Sequence, residues 1–202
     1  MNKIHLNHMN ILLDNMFKKW KKKLKSVKKC KKGWDLMIKT LIADDNYKYS
    51  KNIINTIVNK ISELRIEYVA EDGEETIEAI SKNNFDLILL DLQMPKMNGL
   101  EVLDQIKKMN LIKVPKVIII SGDLPLLNYA SIDGIVCNII LKTETTESMD
   151  EKILRCVNEI KYKANYNKIR DNVIAELKNM GLSLKHKGTR YLIDCVMYAY
   201  RK

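Results

Sequence analysis

The stretch Phe85-Asp86-Leu87-Ile88-Leu89-Leu90-Asp91-Leu92-Gln93-Met94-Pro95-Lys96-Met97-Asn98-Gly99 decides the fold. Its first half is a short apolar run closed by turn residues, the pattern of a strand buried on both faces of a helix-covered parallel sheet. Asp91 then stands at the strand's C-terminal end, where open α/β sheets place their chemistry. Three further runs end the same way. Ile38-Lys39-Thr40-Leu41-Ile42-Ala43 leads into Asp44-Asp45, Val117-Ile118-Ile119-Ile120 into Ser121-Gly122, and Ile135 to Leu141 into Lys142. Three acids, a hydroxyl and a cation are thereby delivered to one sheet edge.

Segments of helical period lie between these runs: Ile53, Ile54, Ile57, Val58, Ile61 and Leu64 in one, Ile77 and Ile80 after Gly73, and Leu100, Leu103 and Ile106 after Asn98-Gly99. With the short strand Ile66-Glu67-Tyr68-Val69-Ala70 the count reaches five. Strand and helix alternate, so the expected class is α/β, a five-stranded parallel doubly wound sheet, followed by a short all-helical C-terminal segment. In that segment Ile169, Val173, Ile174, Leu177 and Met180 form a stripe stopped by Gly181, and a second helix from about Gly188 to Tyr200 would bury Leu192, Cys195, Val196 and Ala199. The expected divisions are a basic extension over residues 1–36, the α/β domain over 37–162 and a partial helical domain over 163–202, joined by the polar connector Lys163-Ala164-Asn165-Tyr166-Asn167.

The net charge of +10 is uneven. Residues 1–36 carry eleven lysines against Asp14 and Asp35, residues 37–160 carry fourteen basic and twenty acidic residues, and residues 161–202 carry ten and three. Only the two ends could be drawn electrostatically to nucleic acid or an anionic surface. No apolar run is long enough to cross a bilayer, and a cytoplasmic location is expected. Cys30, Cys137, Cys156 and Cys195 are widely spaced and have no His cluster near them, so neither a zinc site nor a disulfide framework is expected, only buried thiols. The lysine-rich segment before Met37 has helical spacing at Leu6, Met9, Leu13, Met16, Phe17, Trp20, Leu24 and Val27, and is expected to be dispensable for folding.

Taken in order, the acid pair Asp44-Asp45, Asp91 with its Met-Pro and Asn-Gly, Ser121 and Lys142 resemble the receiver domain of two-component response regulators over roughly residues 37 to 160. The resemblance implies phosphorylation of Asp91 by a histidine kinase or a histidine phosphotransfer protein. Asp45 and Asp91, with a main-chain carbonyl such as that of Gln93, can hold one hard divalent cation, and Mg²⁺ suits such a carboxylate site. Asp44 would be a partial ligand or a support behind the ligands. Asp91 would be the nucleophile, Lys142 would neutralise phosphoryl oxygens, and Ser121 would donate a hydrogen bond to them. Two positions depart from the family: Thr143 replaces a proline, and Ile139 stands where a switching aromatic is common.

The segments Ile174-Ala175-Glu176-Leu177-Lys178-Asn179-Met180-Gly181 and Lys187-Gly188-Thr189-Arg190-Tyr191-Leu192 resemble the opening of the effector domain of the sporulation regulator, stage zero sporulation protein A, with Ser183 where that family has proline. This implies a sporulation-type regulator of gene expression. The alternative is a phosphotransfer or dimerisation receiver without DNA-binding output, because the resemblance stops at Lys202, short of a recognition helix; DNA contact by this chain is then expected to be weak and nonspecific. Pairing into a homodimer is compatible with either. An aspartyl phosphatase is not expected, since Asp91-Leu92-Gln93 lacks a second acid two residues on, and the chain is read as a non-enzyme.

Overall fold

In the computed structural model, which describes residues 37–122 and 134–201, the expected alternation is present. Strands β1 (Ile38–Ala43), β2 (Leu64–Ala70), β3 (Leu87–Leu90), β4 (Lys116–Ser121) and β5 (Val136–Leu141) form one sheet in the order β2-β1-β3-β4-β5, and every neighbouring pair is parallel. Helices α1 (Tyr47–Lys60), α2 (Gly73–Lys82) and α3 (Gly99–Lys108) cross between the first four strands, and α4 (Thr146–Asn179) and α5 (Lys187–Arg201) follow the last. This is the five-stranded doubly wound fold expected from the sequence, with strand order reversing beside β1 and β3.

The strands read as apolar runs because both faces are covered. Ile42, Leu87, Leu89, Ile118, Ile120 and Ile140 point to one side and pack with Ile53 of α1 and Met149, Ile153 and Val157 of α4. Leu41, Ile88, Leu90, Val117 and Ile119 point to the other and pack with Ala79 and Ile80 of α2 and Val102, Leu103 and Ile106 of α3. The alternation along each strand sorts two cores onto opposite faces of a single sheet. Among the described residues no helix is long and apolar enough to cross a membrane.

Local chemistry sets the helix ends. Asp72 caps α2 by accepting from Glu75 N at 2.8 Å. Asn98 caps α3 through Leu100 N and Glu101 N, both at 3.0 Å, while the Glu101 side chain returns to Asn98 N at 2.8 Å. At the far end of α4, Gly181 takes φ +77°, Leu182 N donates to Leu177 O at 3.0 Å and Gly181 N to Lys178 O at 2.9 Å. That is a Schellman stop, which needs a residue at ease in the left-handed region.

Several expectations are corrected. Ile61 and Leu64 continue the apolar spacing of α1, but the helix ends at Lys60, leaving Ile61 in the connection and Leu64 opening β2. A buried edge strand and a helix end can both present apolar residues three or four apart. The division after Tyr162 falls inside the unbroken 34-residue helix α4, so Lys163 to Asn167 are helical rather than a connector. On α5 the buried stripe is Thr189, Ile193 and Met197, one turn apart from each other; Leu192 and Val196 are half-buried, and Cys195 and Ala199 are exposed. Met180, at the cap, is 46% exposed. Cys137 of β5 and Cys156 of α4 are joined by a disulfide, with Cα atoms 6.3 Å apart, where unpaired thiols were expected. Strand and helix bring them together across 19 residues of sequence, a pairing that spacing alone does not reveal. Cys30, and the helical reading of residues 1–36, lie outside the described residues.

Candidate phosphoacceptor site

The sheet ladder carries the acids to a common edge. Asp44 N donates to Ala70 O at 3.1 Å and Asp91 N to Ala43 O at 2.8 Å, so the pairing of β1 with its two neighbours runs right up to both carboxylates. Asp44 and Asp91 are buried while Asp45 is exposed, and one carboxylate oxygen from each lies within 4.8 Å of the others. Backbone amides orient two of them: Asn46 N donates to Asp44 Oδ1 at 2.8 Å and Gln93 N to Asp91 Oδ1 at 3.1 Å.

Lys142 follows the C-terminal end of β5, the edge strand beyond β4. Its amide donates to the carbonyl of Ser121 at 3.0 Å, which fixes the end of β5 beside β4, and its ammonium lies 2.5 Å from Asp91 Oδ2 and 3.0 Å from Asp44 Oδ2. Burial pushes the Asp44 carboxyl above its usual range, against the pull of Lys142 and of the Asn46 amide. For Lys142 burial opposes the charged form, but the hydrogen bonds to Asp91 and Asp44 outweigh it and hold the ammonium's pKa above the ordinary lysine value. Ser121 closes β4 and is fully buried.

The loop after Asp91 is held by close contact. Gly99 N donates to Leu92 O at 3.0 Å, and a Cβ at Gly99 would stand 2.3 Å from the carbonyl oxygen of Asp91 and 2.8 Å from Leu92 Cα. Only glycine lets the first turn of α3 approach the Asp91 backbone this closely. Lys96 adopts φ 63° in the same loop and pairs with Asp72, the cap of α2, at 2.5 Å.

Sequence reasoning located Asp44, Asp45, Asp91 and Lys142, which the fold brings together, and Ser121 and Gln93, which border them through backbone contacts to Lys142 and Asp91. It missed Tyr49 and Glu144. The Lys142 ammonium stands 4.7 Å from the centroid of the Tyr49 ring. Glu144 accepts from Leu141 N at 2.9 Å, Ser148 Oγ at 2.6 Å and Lys152 Nζ at 2.6 Å, and so clamps the loop that carries Lys142. These bonds prevail over burial and lower its pKa to about 2. The spacing Glu144, Ser148, Lys152, with contacts four and eight residues on, was the available signal.

The donor set suits a hard divalent cation. Three carboxylates against one ammonium leave a double negative charge on a cluster made of oxygen donors, the preference of Mg²⁺.

A parallel sheet in this order, with clustered aspartates at the β1 and β3 ends and a lysine reaching in from β5, defines the signal-receiver class of doubly wound domain. The chain belongs to the response regulator receiver domain family, whose model matches residues 40–153. It is similar to a protein-glutamate methylesterase/protein-glutamine glutaminase of Treponema denticola, 34% identical over 113 residues, which make up 55% of this chain and 30% of that protein. It is also similar to the sensory transduction protein LytR of Staphylococcus haemolyticus, 29% identical over 147 residues, 72% of this chain and 54% of the relative. The chain thus spans only part of the curated relatives it matches. Among solved structures, the receiver domain of AraT from Geobacillus stearothermophilus superposes with a TM-score of 0.56 at 24% identity, covering 63% of this chain and 98% of that one. A LuxR-family DNA-binding response regulator of Staphylococcus aureus gives 0.52 at 26% identity, covering 59% and 98%.

Proposed function

We propose that Asp91 is the phosphoacceptor of a two-component phosphorelay, receiving its phosphoryl group from a histidine kinase or a histidine phosphotransfer protein. The observation that carries this is the Lys142 ammonium bridging Asp44 and Asp91 at the sheet's switch point. In the transfer, a carboxylate oxygen of Asp91 forms a bond to phosphorus as the bond from phosphorus to the leaving group breaks, and the leaving group departs with the electron pair. Asp91 loses its charge to the acyl phosphate, so the Lys142 ammonium finds its counter-charge on the phosphoryl oxygens. Ser121, at the end of β4, would donate its hydroxyl to the same oxygens. Asp45, Asp91 and the Gln93 carbonyl, supported by Asp44, would hold Mg²⁺, which supplies positive charge against the incoming anion.

The output reading is a sporulation-type transcription regulator acting in the cytoplasm and without enzymatic activity of its own. Its support is the resemblance of the two segments Ile174 to Gly181 and Lys187 to Leu192 to the opening of the effector domain of the sporulation regulator. In the alternative, the receiver relays or pairs without DNA-binding output, and α4 with α5 forms the pairing surface. The phosphoacceptor assignment is tested by incubating the full chain with radiolabelled acetyl phosphate and Mg²⁺. Labelling that is sensitive to hydroxylamine and absent from Asp91→Asn is expected; retained labelling in that variant overturns the assignment. Mobility shift of duplex DNA, with and without phosphorylation, separates the two outputs.

A further inference from the structure

Tyr49 lies in the first turn of α1, where its amide donates to Asn46 Oδ1 at 3.1 Å. Its ring packs against the core cluster that includes Ile42, Ile53 and Ile140, and carries the Lys142 ammonium 4.7 Å from its centroid, inside the range of a cation–π contact. The same ammonium bonds Asp91 and Asp44, so it is gripped by carboxylates on one side and an aromatic face on the other. The phenolic oxygen of Tyr49 is buried and has no hydrogen-bond partner among the described residues. An unpaired buried hydroxyl is a cost. The useful part of this side chain is therefore its ring.

An aromatic face has a property here that a third carboxylate would lack. It attracts the ammonium without accepting a hydrogen bond, so it does not compete with anionic acceptors for the ammonium's protons. When negative charge passes from Asp91 to a phosphoryl group, the hydrogen bonds of Lys142 must be exchanged, while the ring contact can persist. We propose that Tyr49 is a positioning residue for phosphoryl transfer, its ring face holding the Lys142 ammonium at the switch point while the ammonium changes partners from carboxylate to phosphoryl oxygen. This rests on the reading of Asp91 as phosphoacceptor.

The test uses the full chain with acetyl phosphate and Mg²⁺, comparing Tyr49→Phe, Tyr49→Leu and Tyr49→Met with the parent protein and with Asp91→Asn. Tyr49→Phe keeps the ring and is expected to label within about twofold of the parent. Tyr49→Leu and Tyr49→Met are expected to slow labelling at saturating donor by about three- to tenfold, the value of a partly desolvated cation–π contact. Because the ring also packs on the core, rescue by phenylalanine would follow from packing too, so labelling is compared only among variants whose urea unfolding matches the parent, and the contact with Lys142 is read separately. A second readout needs no phosphorylation: the Lys142 ε-methylene protons should be shifted upfield by the ring in the parent and in Tyr49→Phe, and lose that shift in the aliphatic variants. Parent-like labelling in folded Tyr49→Leu or Tyr49→Met, or the absence of a ring shift on Lys142 in the parent, overturns the proposal. If Asp91→Asn still labels while Tyr49 variants behave as expected, the phosphoacceptor assignment fails instead, and the ring is positioning Lys142 for a different acceptor.

Discussion

Replacing Lys142 by methionine isolates the electrostatic tension in the site. Asp44 and Asp91 are each only 4% exposed, and the ammonium that bonds both is removed while its methylene bulk is largely kept. At an effective dielectric near 20 the Asp44 pair, at 3.0 Å, has a Coulomb energy of roughly 5.5 kcal/mol and the Asp91 pair, at 2.5 Å, somewhat more, and breaking a buried pair by deleting one partner costs about 3–5 kcal/mol. Protonation limits the loss. Placing a proton on a carboxyl of ordinary pKa costs about 4 kcal/mol at pH 7, but only about 1.5 kcal/mol at pH 5. The expected destabilisation is therefore about 3–4 kcal/mol at pH 7, falling by roughly 2 kcal/mol at pH 5. The sign follows from Asp44, whose carboxyl is already raised by burial in the folded protein. It binds its proton more tightly folded than unfolded, so its contribution is fully present below the unfolded pKa and is lost as pH rises through the folded one. Removing Lys142 takes away a lowering influence and enlarges that slope. Urea unfolding at pH 5, 6 and 7, in EDTA and then with excess Mg²⁺, measures both the loss and its recovery by a substitute cation. A variant within 0.5 kcal/mol of the parent at pH 7, or equally destabilised at pH 5 and 7, would refute the reasoning.

Gly99→Ala forces a Cβ against the Asp91 carbonyl and should both destabilise the fold by about 2 kcal/mol and slow labelling of Asp91, read by thermal melts and acetyl phosphate incorporation. Glu144→Gln should cost about 2 kcal/mol at neutral pH, because a charge-assisted clamp on the Lys142 loop is weakened. Since the Glu144 pKa is lowered to about 2, its contribution is present above the unfolded value and is lost as pH falls toward 2, so parent and variant should converge in acid unfolding curves. Reduction of the Cys137–Cys156 bond, or Cys137→Ser with Cys156→Ser, should lower stability by roughly 3 kcal/mol through loss of the loop it closes, measured by urea unfolding with and without dithiothreitol.

The acids were legible because a strand buried on both faces announces itself by an unbroken apolar run, and whatever polar residue follows must sit at its end. Asp91 and Ser121 each follow such a run, whereas Lys142 follows a half-buried edge strand interrupted by Asn138 and was legible by its place in the order of strands. Gly99 was legible as a turn, but its need to meet the Asp91 carbonyl depends on how α3 settles beneath the loop. Tyr49 was hidden because an aromatic residue on an amphipathic helix looks like core, which half of it is. The α5 stripe was misphased because its apolar residues occupy two neighbouring helical rows, and only packing on α4 selects the row of Ile193 and Met197. The Cys137–Cys156 bond joins two elements whose contact no local pattern encodes.

The 34 residues of α4 make a rod roughly 50 Å long. Its first part is fixed to the sheet through Met149, Ile153 and Val157, and its second, bearing Ile169, Val173 and Leu177, emerges as a cantilever stiffened by α5. Beyond Lys161, which still pairs with Glu63 at 2.9 Å, the overhang to Asn179 is about 27 Å, so a tilt of about 5° would sweep the Gly181 turn through about 2.4 Å. A rod of this length would turn a small tilt at its sheet-bound end into a displacement of a few ångströms at the Gly181 turn, and a pair of spin labels on β2 and the α4–α5 turn would register such a stroke.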